Sequence, residues 1–150
     1  MAAQAWKVYN RAKYHIGAGN LKLSNTTFRL SLVTSASNFA TATMSTFASL
    51  TNEIADGNGY STSGKALTGE TWGTGASAGQ YKFDATAWGP YTATGGNIAN
   101  IKAAVIWQSG ASAGSRYLLC YASLTSSQFT LNSGNTITIT PASGGILTLA

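Results

Sequence analysis

The segment Asn132-Ser133-Gly134-Asn135-Thr136-Ile137-Thr138-Ile139-Thr140 decides how the rest of the chain is read. Isoleucine alternates with threonine from 136 to 140. Successive side chains of an extended backbone then fall on opposite faces, one apolar and one hydroxylated. Asn-Ser-Gly-Asn ahead of it is turn chemistry, tolerant of the left-handed backbone that reverses a chain. The same period of two recurs upstream. Phe28, Leu30 and Leu32 alternate with Arg29 and Ser31; Tyr81 and Phe83 share a face; Ile101, Ala103, Val105 and Trp107 alternate. Residues 117–124 are apolar on both sides, which predicts a strand covered on both faces. Leu21 and Leu23, residues 67–72, Phe129 with Leu131, and residues 146–149 supply further strands. Strands this short, separated by turns and without βαβ alternation, predict a mainly β protein, an antiparallel β-sandwich or jelly-roll-like fold.

Two segments read as helix. Across residues 4–16, Ala5, Val8, Tyr9, Ala12 and Ile16 fall at helical spacing, and Gly17 and Gly19 supply the stop. Met44, Phe47, Leu50 and Ile54 fit a second short helix, with Thr43 or Ser45 as its cap. The expected organisation is a helical N-terminal arm over residues 1–20 and one β-sandwich domain over 21–150, with a turn at residues 24–26.

Composition restricts function more than it names it. Of the 150 residues 44% are hydrophobic but only 9% charged, far below the roughly one quarter usual in soluble domains. Little charge repulsion keeps such a surface apart from others. A chain of this kind is expected to be covered by copies of itself or by a partner. The net charge is +5, and Lys7, Arg11, Lys13, Lys22 and Arg29 all precede the first acidic residue, Glu53. These cations are single rather than clustered in an arginine-rich arm, which argues against nucleic acid. Cys120 is alone in the apolar run RYLLCYASL and reads as a buried thiol. The N-terminus lacks the long apolar segment of a secretion signal, and no apolar run is long enough to span a membrane. Synthesis and folding in a cytoplasm follow as the expectation.

The residue types that carry catalysis are scarce. Residues 50–64, LTNEIADGNGYSTSG, hold Glu53 and Asp56 among three glycines, but no later acid completes a calcium loop. Lys65 is followed by Ala66, so no phosphate-binding loop is formed. The stretch reads as a turn, with Tyr60 as an inward anchor. His15 is the only histidine and Cys120 the only cysteine, too few for a zinc site. Gly-Ala-Ser-Ala-Gly occurs twice, at residues 75–79 and 110–114, and both copies read as flexible surface hairpin loops rather than as the strand-to-helix elbow that presents a nucleophile. The chain is therefore read as no enzyme, with no cofactor and no metal. Aromatic residues leave one binding alternative. Trp72 and Trp107 read as core, whereas Trp88-Gly89-Pro90-Tyr91 reads as a loop in which Trp88 is either an anchor or the best candidate for an exposed ring that stacks on a sugar or a base.

Several motifs carry a resemblance. The chain opens with Trp6-Lys7-Val8-Tyr9-Asn10, Ala12-Lys13 and Ile16-Gly17. Leu50-Thr51-Asn52-Glu53, Gly57-Asn58-Gly59-Tyr60, Phe83-Asp84-Ala85, Ala103-Ala104-Val105-Ile106 and Leu118-Leu119-Cys120-Tyr121 follow. It closes with Gly134-Asn135-Thr136-Ile137-Thr138-Ile139 and Gly145-Ile146-Leu147-Thr148-Leu149. Together, over nearly the whole chain, these resemble a family of small virion structural proteins of tailed bacteriophages and prophages. The resemblance implies a particle component made in the bacterial host cytoplasm and located in the virion, and it implies no catalytic residues. A capsid decoration protein that stabilises the head lattice is the reading it favours, its partner the major capsid protein or another virion protein. A tail fibre, baseplate or connector component is the alternative, and a carbohydrate-binding β module the third. Trp6, Lys7, Tyr9, Arg11 and Lys13 are expected to form a contact arm, and Trp88 and Tyr91 a second contact. A trimer is expected by analogy with common decoration architecture.

Overall fold

The period-two segments become twelve strands among the described residues, which are 4–24, 27–110 and 112–149 of the computed structural model. Residues 1–3 of the expected arm, and Asn25 and Thr26 of the expected turn, lie outside them. In chain order the strands are β1 (Lys7–Val8), β2 (Phe28–Val33), β3 (Lys65–Ala66), β4 (Thr71–Thr74), β5 (Tyr81–Asp84) and β6 (Trp88–Thr92). Then come β7 (Ile98–Ile101), β8 (Ala103–Gln108), β9 (Leu118–Ser123), β10 (Phe129–Leu131), β11 (Thr136–Ile139) and β12 (Leu147–Leu149). One helix, α1 (Asn10–Gly17), lies near the N-terminus. The protein is mainly β, and its sheets are antiparallel.

Five strands form the main sheet in the order β1-β9-β8-β2-β3. β2 and β8 pair along their full length, from Phe28 opposite Gln108 to Val33 opposite Ala103. Alternation then sorts the side chains onto two faces. Phe28, Leu30, Leu32, Ala104, Ile106 and Cys120 share one; Ser31, Val105, Trp107 and Tyr121 share the other. Both faces are covered, which is why β2, β8 and β9 are apolar throughout. On the first face, the Phe28 ring lies 4.8 Å from that of Phe83 in β5. β5 belongs to a second layer of smaller sheets, β12-β5-β4, β11-β6 and β10-β7, in a sandwich-like arrangement. In β11, Ile137 and Ile139 are buried and Thr136 and Thr138 exposed, as the alternation requires.

Irregular chain covers the other face. Tyr9 and Phe39 pack on Tyr121, and Phe47 stacks on Trp107 with ring centroids 4.1 Å apart. Trp107 Nε1 donates to Ser31 Oγ at 3.0 Å, which satisfies a fully buried hydroxyl. Cys120 is fully buried, and burial pushes its thiol pKa well up, so it packs as a small apolar side chain.

Four local expectations need correction. The N-terminal segment is not helical over residues 4–16. Gln4 N donates to Ser123 O and Tyr9 N to Leu119 O, so the segment pairs with the open edge of β9 before α1 begins. Backbone pairing in the sheet outweighs a short helix that is marginal by itself. The second expected helix is a single 3-10 turn, Phe47–Ser49. Ser49 Oγ bonds Thr46 O, and Phe47 N bonds Arg116 O, both in competition with helical pairing. Leu21 and Leu23 are buried without forming a strand. Trp88–Thr92 is strand β6 rather than a loop, paired with β11.

Candidate functional site

α1 presents Lys13, Ile16 and Gly17 on one side, at the i, i+3, i+4 spacing of a single helical face. Opposite them lie Leu147 and Leu149 of β12, and Val8 of β1 lines the same space, an open cavity of about 590 Å³. A second cavity, of about 520 Å³, continues it past Thr148 between Trp6 and Ile146. A third, of about 240 Å³, continues it past Ile16 to Leu21 and Trp72. Together they make one groove between the first residues of the fold and its last strand. β1 and β12 are edge strands, each paired on one side alone among the described residues.

The groove is apolar because the second layer outruns its cover. Phe83 and Leu147 face inward opposite each other and are buried. Two residues along the same face, Tyr81 and Leu149 also stand opposite each other, but they are 50% and 45% exposed. Half-buried Trp72 stacks against Tyr81, with centroids 6.0 Å apart. Only Tyr14 among the large apolar side chains is comparably exposed within the described residues. Among the described residues no carboxylate lines any of the three cavities, whereas Lys13 and Lys22 do, both exposed. Among the described residues the salt bridge is Lys82–Asp84, so neither lysine is neutralised in that way.

The residues expected to make contacts fall in different places. Trp6, half-buried, and Lys13 line the groove. Lys7 and Arg11 are exposed outside it, and the Arg11 guanidinium lies over the Tyr14 ring at 5.8 Å. Tyr9 is not a surface contact. It is fully buried, its hydroxyl donates to Phe39 O at 2.6 Å, and burial raises its pKa. Trp88 and Tyr91 are buried too, their rings stacked 4.8 Å apart. Trp88 Nε1 donates to Lys65 O, and the Tyr91 hydroxyl accepts from Ser61 N. Neither ring has a face free for a sugar. Leu147, Leu149 and Trp72 were not foreseen as a site, because exposure of an apolar strand residue depends on what the opposing layer covers.

The polar residues of residues 50–64 are engaged in the turn. Tyr60 donates to Glu53 Oε1 at 2.8 Å and accepts from Leu32 N at 2.9 Å. Asp56 Oδ1 accepts from Thr62 N. Glu70 accepts from Phe28 N, and Asp84 binds Lys82. The described residues contain no group of three or more His, Cys, Asp or Glu placed to hold a metal ion. No helix among them is long and apolar enough to cross a membrane.

His15 Nε2 lies 2.8 Å from Ser45 Oγ, and its ring packs on Tyr117 at 4.1 Å. Nδ1 is buried without a hydrogen-bond partner. Burial, then the Arg11 charge, holds its pKa below the ordinary 6.5. The unfolded chain therefore takes up this proton more readily than the folded one. The associated stability is present above the unfolded value and is lost as pH falls through about 6.5 toward the lower folded value. A modest fall in melting temperature between neutral pH and pH about 5 is expected, and His15→Gln should remove it. An identical profile in the variant would assign the dependence to other groups.

Comparison of the chain with protein-family models, with curated proteins and with solved structures gave no match.

Proposed function

We infer that the protein is a structural component of a tailed-phage virion, a decoration protein whose copies bind the outer head lattice and bridge neighbouring capsid subunits. The motif resemblance supports the virion class. The observation that carries binding, rather than catalysis, is the groove: an apolar strip edged by Lys13 and Lys22 on a chain with 9% charged residues. Each contact of this size is weak, and many copies on one lattice make the attachment strong through multivalency. The two aromatic residues proposed for sugar stacking, Trp88 and Tyr91, are buried, which removes the feature that favoured a carbohydrate module.

Purified protein mixed with undecorated heads tests the reading. Co-sedimentation that saturates at a fixed ratio to the major capsid protein is the expected result. Absence of binding to heads, with immunogold label confined to tails, would transfer the protein to the tail.

A further inference from the structure

We propose that the groove between α1 and β12 receives an extended, acidic-flanked apolar segment of a neighbouring protein, which adds as a strand to the free edge of β12. The identity of that neighbour as a virion subunit rests on the reading above; the chemistry of the segment does not.

Three features fix the kind of occupant. The first is the edge itself. β12 pairs with β5 on one side and with no described strand on the other, so its outer backbone groups are open to a new strand. The second is the apolar lining. An added strand presents every second side chain to one face, and Val8, Ile16, Leu147 and Leu149 offer an apolar surface to that face. Leu149, half-exposed and lining the groove, is the residue such a strand would cover.

The third feature is charge, and it decides between partners. Lys13 and Lys22 stand at the groove, and among the described residues no carboxylate lines it. A second copy docked by the same surface across a two-fold axis would bring these lysines toward their own counterparts, and like charges across an interface oppose association. An acidic segment meets them with opposite charge instead. The occupant is therefore a different surface carrying Asp or Glu beside alternating apolar residues.

Two fluorescein-labelled ten-residue peptides provide the probes, one alternating valine with glutamate and one alternating valine with lysine. Anisotropy should report saturable binding of the glutamate peptide and none of the lysine peptide at the same concentration. Amide shifts in the full-length protein should centre on residues 13–17 and 147–149. Lys13→Glu, at an exposed position, is expected to weaken the glutamate peptide about fivefold, the scale of losing one rim ion pair and adding one repulsion. Leu149→Asp should abolish binding while leaving the melting temperature close to wild type. Binding of neither peptide, equal binding of both, or shifts centred elsewhere would overturn the proposal. So would self-association abolished by Leu149→Asp, which would assign the groove to a second copy. The same variant separates this inference from the virion reading. Heads that bind the wild type and Leu149→Asp equally leave decoration standing and remove the groove from it. Peptide binding without head binding does the reverse.

Discussion

Gly64→Ala is expected to cost more than about 4 kcal/mol, a range reached only by mutations with an identifiable structural cause. Gly64 has φ +61°, and Ser63 before it has φ +67°, so the turn passes through two successive left-handed positions. Alanine there adds about 1–2 kcal/mol of backbone strain by itself. The larger effect is steric. A Cβ on Gly64 would overlap the backbone carbonyl of Leu30 and lie 2.8 Å from Ser31 Oγ. Both belong to β2, an interior strand of the main sheet. The turn is held tightly in place, because Arg29 donates to Ser63 O and Gly64 O, each at 2.7 Å. Relief of the overlap has to push β3, which begins at the next residue, away from β2. Gly73→Ala is the control, since a Cβ at Gly73 meets nothing and its φ is ordinary. Denaturant midpoints should fall steeply for Gly64→Ala, if it folds at all, and hardly for Gly73→Ala. Similar midpoints for the two would show that the turn does not pack on β2.

Tyr60→Phe is expected to cost about 2–3 kcal/mol, more than the loss of an ordinary hydrogen bond. Tyr60 is 2% exposed, and its hydroxyl joins Leu32 N to Glu53 Oε1. Burial, with the Glu53 charge next, raises the phenol pKa, so the group stays protonated and donates to the carboxylate. Phenylalanine keeps the packing but leaves the Leu32 amide without its partner inside the sheet. Glu53→Gln retains an acceptor for the hydroxyl and should lose less. Equal losses from the two substitutions would place the effect in the Glu53 charge rather than in the buried amide. The acidic residue that first raises the question of a metal loop is thus a fastener for a turn.

The strands were legible where burial is one-sided or complete over several residues. Residues 136–139 alternate because the second layer faces solvent on one side, and residues 118–123 do not because β9 is covered twice. The N-terminal segment misled because Val8 and Tyr9 fit helical spacing equally well. Only the open edge of β9, formed by residues more than a hundred positions away, selects a strand. Trp88 misled for a related reason. Gly89 and Pro90 signal a turn, yet Gly89, at φ +114°, packs against Ile137 O inside a paired strand. Of the expected N-terminal contact residues, Trp6 and Lys13 line the groove, while Lys7 and Arg11 lie outside it and Tyr9 is buried. The groove's other wall was hidden, since Leu147 and Leu149 look like any core strand. Their difference in exposure comes from where the opposing layer ends.

The proposed attachment to a phage head is through the side of the fold formed by α1 and β12. Electron cryomicroscopy of heads saturated with the protein measures this directly. The prediction is ordered density at repeating lattice positions, with α1 and β12 turned toward the capsid subunits and Leu149 covered. Heads that remain bare, or copies bound with α1 and β12 facing solvent, would contradict it.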